Sequence, residues 1–167
     1  MRIFCKLLAI GILYLMPLAS MAQDVVPQAN SGVKVDWIRG TDFSKFKTYA
    51  WGTSQQMTSG TTHPAEDIDA ALQAKGLRKV GSDANPSLLV AFSAGTKPVY
   101  VIKGFFAYTT VNQGTLIVEL ANPQSKTALW WGIADDAMTN HPDKDLPVIQ
   151  KKISKMFEKY PPPTKKK

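Results

Sequence analysis

Residues 115–134 read TLIVELANPQSKTALWWGIA, two apolar runs separated by a polar turn. In the first run Leu116, Val118 and Leu120 alternate with Thr115, Ile117 and Glu119, the two-residue period that sends successive side chains to opposite faces of a strand. Asn122-Pro123 is turn chemistry, and Ala128 to Ala134 is strand-like again. The two runs are therefore expected to pair across that turn. Trp130 and Trp131 are consecutive. A regular strand aims them at opposite faces, so only one enters a helix-covered core and the other meets a partner, a loop or water.

Moving toward the N-terminus, Asn112, Gln113 and Gly114 have hairpin-turn character, and Val99 to Thr110 is a strand candidate interrupted at Lys103 and Gly104. SLLVAFSAG after Pro86 is apolar on both faces, with Leu88, Val90 and Phe92 on one and Leu89 and Ala91 on the other, the pattern of a central strand covered on both sides. Pro64 opens a short amphipathic helix. Glu66, Asp67 and Asp69 sit where the helix dipole favours carboxylates, Ile68, Ala71 and Leu72 make the apolar stripe, and Gly76 suits the left-handed stop. Thr53 to Thr62 is a polar loop.

Residues 42–52, DFSKFKTYAWG, form a turn and a strand. Phe43 and Phe46 are expected as anchors, and Tyr49 and Trp51 share one sheet face. Before them VKVDW (33–37) alternates as a strand and is expected to neighbour this one. Downstream, Leu146, Ile149, Ile153, Met156, Phe157 and Tyr160 recur at helical spacing while Lys152, Lys155 and Lys159 take another face. Asp145 is the expected N-cap of that helix, Pro147 its first turn, and Pro161 to Pro163 its stop. Together these elements predict an α+β fold, a mostly antiparallel sheet of about five to seven strands with two amphipathic helices packed on one face.

The chain opens with Arg2 and Lys6 around an apolar run, Leu7 to Leu18, that is too short for a bilayer core of roughly 30 Å. Ser20 and Ala22 then fit a small-residue cleavage site. The expected layout is an export signal at 1–22, a flexible leader at 23–32, a single domain at 33–160 and a Pro/Lys tail at 161–167. Export places the protein in the periplasm or cell envelope. The single cysteine, Cys5, lies inside the signal, so lipid anchoring at a cleavage-site cysteine, disulfides and thiolate metal sites are not expected. Loss of Arg2 and Lys6 leaves 18 basic against 13 acidic residues, a net charge of +5. An exported basic protein meets lipid headgroups and wall polymers rather than nucleic acid. Lys165, Lys166 and Lys167 would give weak, salt-sensitive contact with an anionic membrane surface, or simply solubilise the tail.

The order of these segments is similar to a known family. DFSKFKTYAW after a VxVD strand, a segment ending in AKGL, SLLVAF after NP, then GTLIVEL, LWWG and a last helix closing on KYPP resemble the bacterial domain-of-unknown-function family 4136, from about Val33 to Pro162. The resemblance implies an exported envelope protein, often a lipoprotein, with helices packed against an antiparallel sheet. It brings no assigned reaction. The chain departs from the family in lacking a lipobox cysteine and in carrying Trp131 where a polar or basic residue is expected.

Chemistry-bearing constellations are sparse. His63 and His141 each precede a proline and stand in no zinc-binding frame, so no metal or cofactor is expected. Asp135 and Asp136 are adjacent on a strand and point apart, whereas paired acid–base work needs convergence. No G-x-S-x-G or phosphate loop occurs. The favoured reading is a non-catalytic, monomeric binding or structural domain whose partner is an envelope protein, lipid or glycan. The alternative is a hydrolase or transferase acting on envelope components. Tyr49, Trp51 and Trp131 are the candidate binding surface, provided that they gather on one exposed face.

Overall fold

The computed structural model describes residues 31–52, 64–104, 107–139 and 141–162, excepting the side chains of 102–108. The expected export signal, nearly all of the expected leader, the expected loop at 53–62 and the terminal lysines lie outside the described residues. The elements are β1 (Gly32–Trp37), a 3-10 turn (Phe43–Lys45), β2 (Thr48–Trp51), α1 (Pro64–Ala74), β3 (Arg78–Lys79), β4 (Leu88–Gly104), β5 (Ala107–Ala121), β6 (Ala128–Met138) and α2 (Pro142–Glu158). The six strands form one sheet in the order β1-β6-β5-β4-β2-β3. Pairing is antiparallel from β1 to β4, and β2 runs parallel to both β4 and β3. This is the expected α+β architecture, with both helices on one face.

The β5–β6 hairpin forms as its alternation requires, with Leu116, Val118 and Leu120 opposite Ala134, Gly132 and Trp130. Its turn is closed by Asn122, whose side-chain oxygen accepts from the amides of Gln124 and Ser125 at 2.8 and 3.0 Å. The β4–β5 connection is different from the expected one. Asn112 to Gly114 is not a turn but the interior of β5, paired with Pro98 to Thr96 on one side and, like Gly114 with Asp136, with β6 on the other. The chain reverses between Gly104 and Ala107, and Val99–Thr110 is the two sides of that reversal. The proline at 98 is accommodated because β4 beyond Val90 has no second strand partner among the described residues, so a missing amide proton leaves no ladder incomplete there.

Two further expectations are corrected. β1 does not neighbour β2: it pairs with β6 at the opposite side of the sheet, Val35 against Gly132 and Trp37 against Trp130. α2 begins a turn earlier than Asp145, with His141 as N-cap and Pro142 in the first helical position, where a proline's missing donor costs nothing. Asp145 instead accepts from the amide and hydroxyl of Thr139, both at 2.9 Å, tying the helix to the strand before it.

α1 ends as its sequence predicts. Gly76 takes φ +83°, its amide donates to Gln73 and that of Leu77 to Leu72, and Leu77 is buried beneath the turn. β2 is joined to β4 by Ser87, whose hydroxyl donates to the Thr48 carbonyl at 2.6 Å and accepts from the Thr48 amide at 2.9 Å. The core lies between sheet and helices: Tyr49, Leu88, Val90, Val118, Leu120 and Trp130 below, Ile68, Leu72, Ile153, Met156 and Phe157 above. Trp130 stacks on Phe157 at 5.1 Å, and Tyr160 stands edge-on to Trp130 and Phe43. Gly132 lets α2 approach, because a Cβ there would run into Met156. Among the described residues no helix is long and apolar enough to cross a membrane.

Candidate functional site

Among the described residues the helices cover one face only, so the strands' alternate residues line a second face that carries no described helix. Leu89 and Ala91 lie there half-buried, which corrects the expectation that β4 is covered on both sides. Two rows run across this open face. Register aligns Lys34, Ile133, Ile117 and Ser93 in one, and Asp36, Trp131, Glu119 and Ala91 in the next. Trp131 therefore stands between two carboxylates, with Ile133 and Ile117 beside it as its apolar neighbours.

The β1 end of this face is the best defined. Asp36 Oδ1 accepts from Arg39 at 2.9 Å and from the Trp37 amide at 2.9 Å, and the Arg39 guanidinium lies 3.9 Å from the centre of the Trp37 ring. An open depression of about 430 Å³ follows, lined by Lys34, Val35, Asp36, Arg39, Trp131 and Ile133. It offers an aromatic ring, cationic donors and an oriented carboxylate within one shallow surface. Such a surface can hold a polyhydroxylated or zwitterionic ligand but does not enclose it.

The three aromatic candidates do not share this face. Tyr49 is fully buried and Trp51 half-buried on the helix side, where both donate to Asp69 of α1, at 2.8 and 3.0 Å. Asp69 also receives Lys79 at 2.7 Å. Burial, followed by the hydrogen bond to Asp69, pushes the Tyr49 phenol up to about 12. Trp131 alone of the three looks outward on the open face.

The remaining candidates have structural partners. Asp135 accepts from the Thr115 hydroxyl at 2.6 Å, while Asp136 pairs with Lys152 at 2.7 Å, so the adjacent carboxylates diverge as a strand demands. Lys152 does not join the solvent-facing lysines of α2; it also donates to the Asp135 carbonyl and to Ser31. Burial opposes ionisation of Asp136, but the Lys152 hydrogen bond and the Ala137 amide outweigh it and hold the carboxyl below its usual range. His141 is exposed and makes no side-chain cap bond, and His63 lies outside the described residues. Among the described residues no three His, Cys, Asp or Glu side chains gather as a metal site.

Lys34, Asp36, Arg39 and Glu119 were not singled out from sequence. The alternation of VKVDW placed Lys34 and Asp36 opposite Val33, Val35 and Trp37, but only the β1–β6 pairing sets them beside Trp131, and no local signal specifies that long-range partner.

No curated protein matches the chain. Among solved structures, a PDZ domain protein from Parabacteroides distasonis superposes with a TM-score of 0.54 at 16% identity, over 80% of this chain and 36% of that one. This chain thus spans little more than a third of that relative's length. A DUF4136 family protein from Bacteroides thetaiotaomicron gives a TM-score of 0.53 at 14% identity, over 80% of this chain and 97% of that one. Both likenesses are of fold. The model of the domain of unknown function DUF4136 matches residues 33–162, from the first strand to the proline after α2, and the chain belongs to that family.

Proposed function

We propose that this protein is a non-catalytic binding domain of the cell envelope, and that it contacts envelope glycan through the open sheet face around Trp131. The observation that supports this reading is the row Asp36, Trp131, Glu119: a large ring on a face that no helix covers among the described residues, flanked on both neighbouring strands by carboxylates. Sugar rings present apolar C–H faces that pack on an indole, and their hydroxyls donate to carboxylates and accept from Lys34 and Arg39. The leader-like sequence at 1–22 supports export to where such glycans are found.

A hydrolase is less well supported. Asp36 and Glu119 are two strand spacings apart, about 10 Å, both stand exposed, and the open depression beside Trp131 is lined by Asp36 but not by Glu119. Titration of the protein with soluble cell-wall and surface-polysaccharide fragments, followed by tryptophan fluorescence, tests the proposal. Saturable binding that Trp131→Ala abolishes, with the melting temperature kept, is the expected result. Equal binding by Trp131→Ala, or no binding by the parent, overturns it, and turnover of the fragments would establish the hydrolase instead.

A further inference from the structure

The β4–β5 hairpin outgrows the sheet that it belongs to. β6 pairs with β5 only as far as Asn112 against Met138, whereas β4 and β5 continue together from Pro98–Asn112 to Gly104–Ala107. The result is a two-stranded arm about 20 Å long, with no strand on either side among the described residues. A lone two-stranded ribbon is marginal in water, so an arm of this length calls for a surface to lie on.

The composition says which kind. Residues 97–112 read KPVYVIKGFFAYTTVN, ten of the sixteen aromatic or β-branched, and no carboxylate occurs anywhere from 84 to 118. The charges on the arm are Lys97, which is exposed, and Lys103. Tyr100 is 64% exposed, and it and Ile38 are the large hydrophobic side chains exposed among the described residues. Its position on β4 has the same parity as Leu88, Val90 and Phe92, which pack in or against the core, so Tyr100 continues that face past its cover.

We infer that this arm is a membrane-contact element that lies in the headgroup layer of an anionic bilayer, independently of the Trp131 face. Tyrosine is favoured at that depth because its ring enters the acyl boundary while its hydroxyl stays hydrated. The exposed Lys97 meets lipid phosphates, and the acid-free stretch removes the repulsion that a carboxylate would bring. An open ribbon edge cannot enter dry hydrocarbon, so the arm lies along the interface and does not span it. Pairing with the arm of a second copy is the less favourable occupant, since Pro98 and the lysines along β4 are the residues that guard an edge against strand addition.

The test is flotation of the full chain, purified from an exporting host, with vesicles of phosphatidylglycerol and phosphatidylethanolamine, and separately of phosphatidylcholine. The parent, Tyr100→Ser and Lys97→Glu are compared, so any contribution of the N-terminal apolar segment is common to all three. The parent is expected to bind the anionic vesicles in a salt-sensitive way, Tyr100→Ser to bind them roughly tenfold more weakly, and Lys97→Glu to bind them more weakly too. Because both side chains are exposed, the variants should melt with the parent. Three results would overturn the inference: no flotation of the parent, equal flotation of parent and Tyr100→Ser, or equal binding to phosphatidylcholine. So would a parent that self-associates through Tyr100 without binding vesicles, which would assign the arm to a second copy.

Discussion

Phe43 fixes the crossing from β1 to β2. Its 3-10 turn is capped by Asp42, which accepts from the Ser44 amide at 3.1 Å and hydroxyl at 2.6 Å, and the ring this aims inward meets Phe46 and Tyr160 edge-on at 5.8 and 5.7 Å. Phe43→Ala leaves a cavity between the Phe46 and Tyr160 rings and should lower stability by about 3–5 kcal/mol in urea unfolding; an unchanged midpoint would contradict this placement. Gly132 is the complementary case, where the absence of a side chain is the structural contribution. Gly132→Val drives two methyl groups against buried Met156 and should destabilise by about 1–3 kcal/mol. Shortening the obstacle relieves it: Gly132→Val with Met156→Ala should cost less than the two single changes added together, a coupling that a double-mutant cycle measures directly.

Among the elements, α1 is tied to the sheet through Asp69. Asp69 gathers Tyr49, Trp51 and Lys79, so its removal strands two ring donors beneath the helix, each costing about 1–3 kcal/mol. Asp69→Ala should therefore speed amide exchange in α1 well beyond that in β5 and β6, and uniform acceleration across the sheet would show that the pin is not local. The same packing predicts alkaline sensitivity. Burial pushes both Tyr49 and Tyr160 from 10.0 up to about 12, so the folded state keeps protons that the unfolded chain releases. Stability from these phenols is complete below pH 10 and is lost progressively between pH 10 and 12, and denaturation midpoints across that range check it. The elements themselves were legible where short-range pattern specified them: the Ile68–Leu72 stripe with its Gly76 stop, the β5–β6 hairpin, the α2 stripe from Ile149 to Phe157. The β4–β5 turn was not, because Asn112-Gln113-Gly114 has turn chemistry that two flanking strands override, and neither was the edge position of β1, which depends on a partner nearly 100 residues away in the chain.

At the scale of the whole molecule, one sheet separates two environments, and the consecutive tryptophans of β6 sample one each. Trp130 is fully buried, stacked on Phe157, and its indole N–H has no hydrogen-bond partner among the described residues, so its contribution comes from packing rather than polar contact. Trp131 lies half-buried on the face without helices, between Asp36 and Glu119. The sequence showed that the two must diverge but not which of them the helices would cover; that depends on Leu120 and Val118 facing the same side as Trp130 and Gly132, a matter of register. Truncating each in turn separates the two environments. Trp130→Ala should cost about 3–5 kcal/mol, enough to leave a marginal domain largely unfolded, while Trp131→Ala should cost roughly 1 kcal/mol or less. Comparable losses at both positions in equilibrium unfolding would mean that the second face is covered too, and the surface proposed for ligand would then be interior.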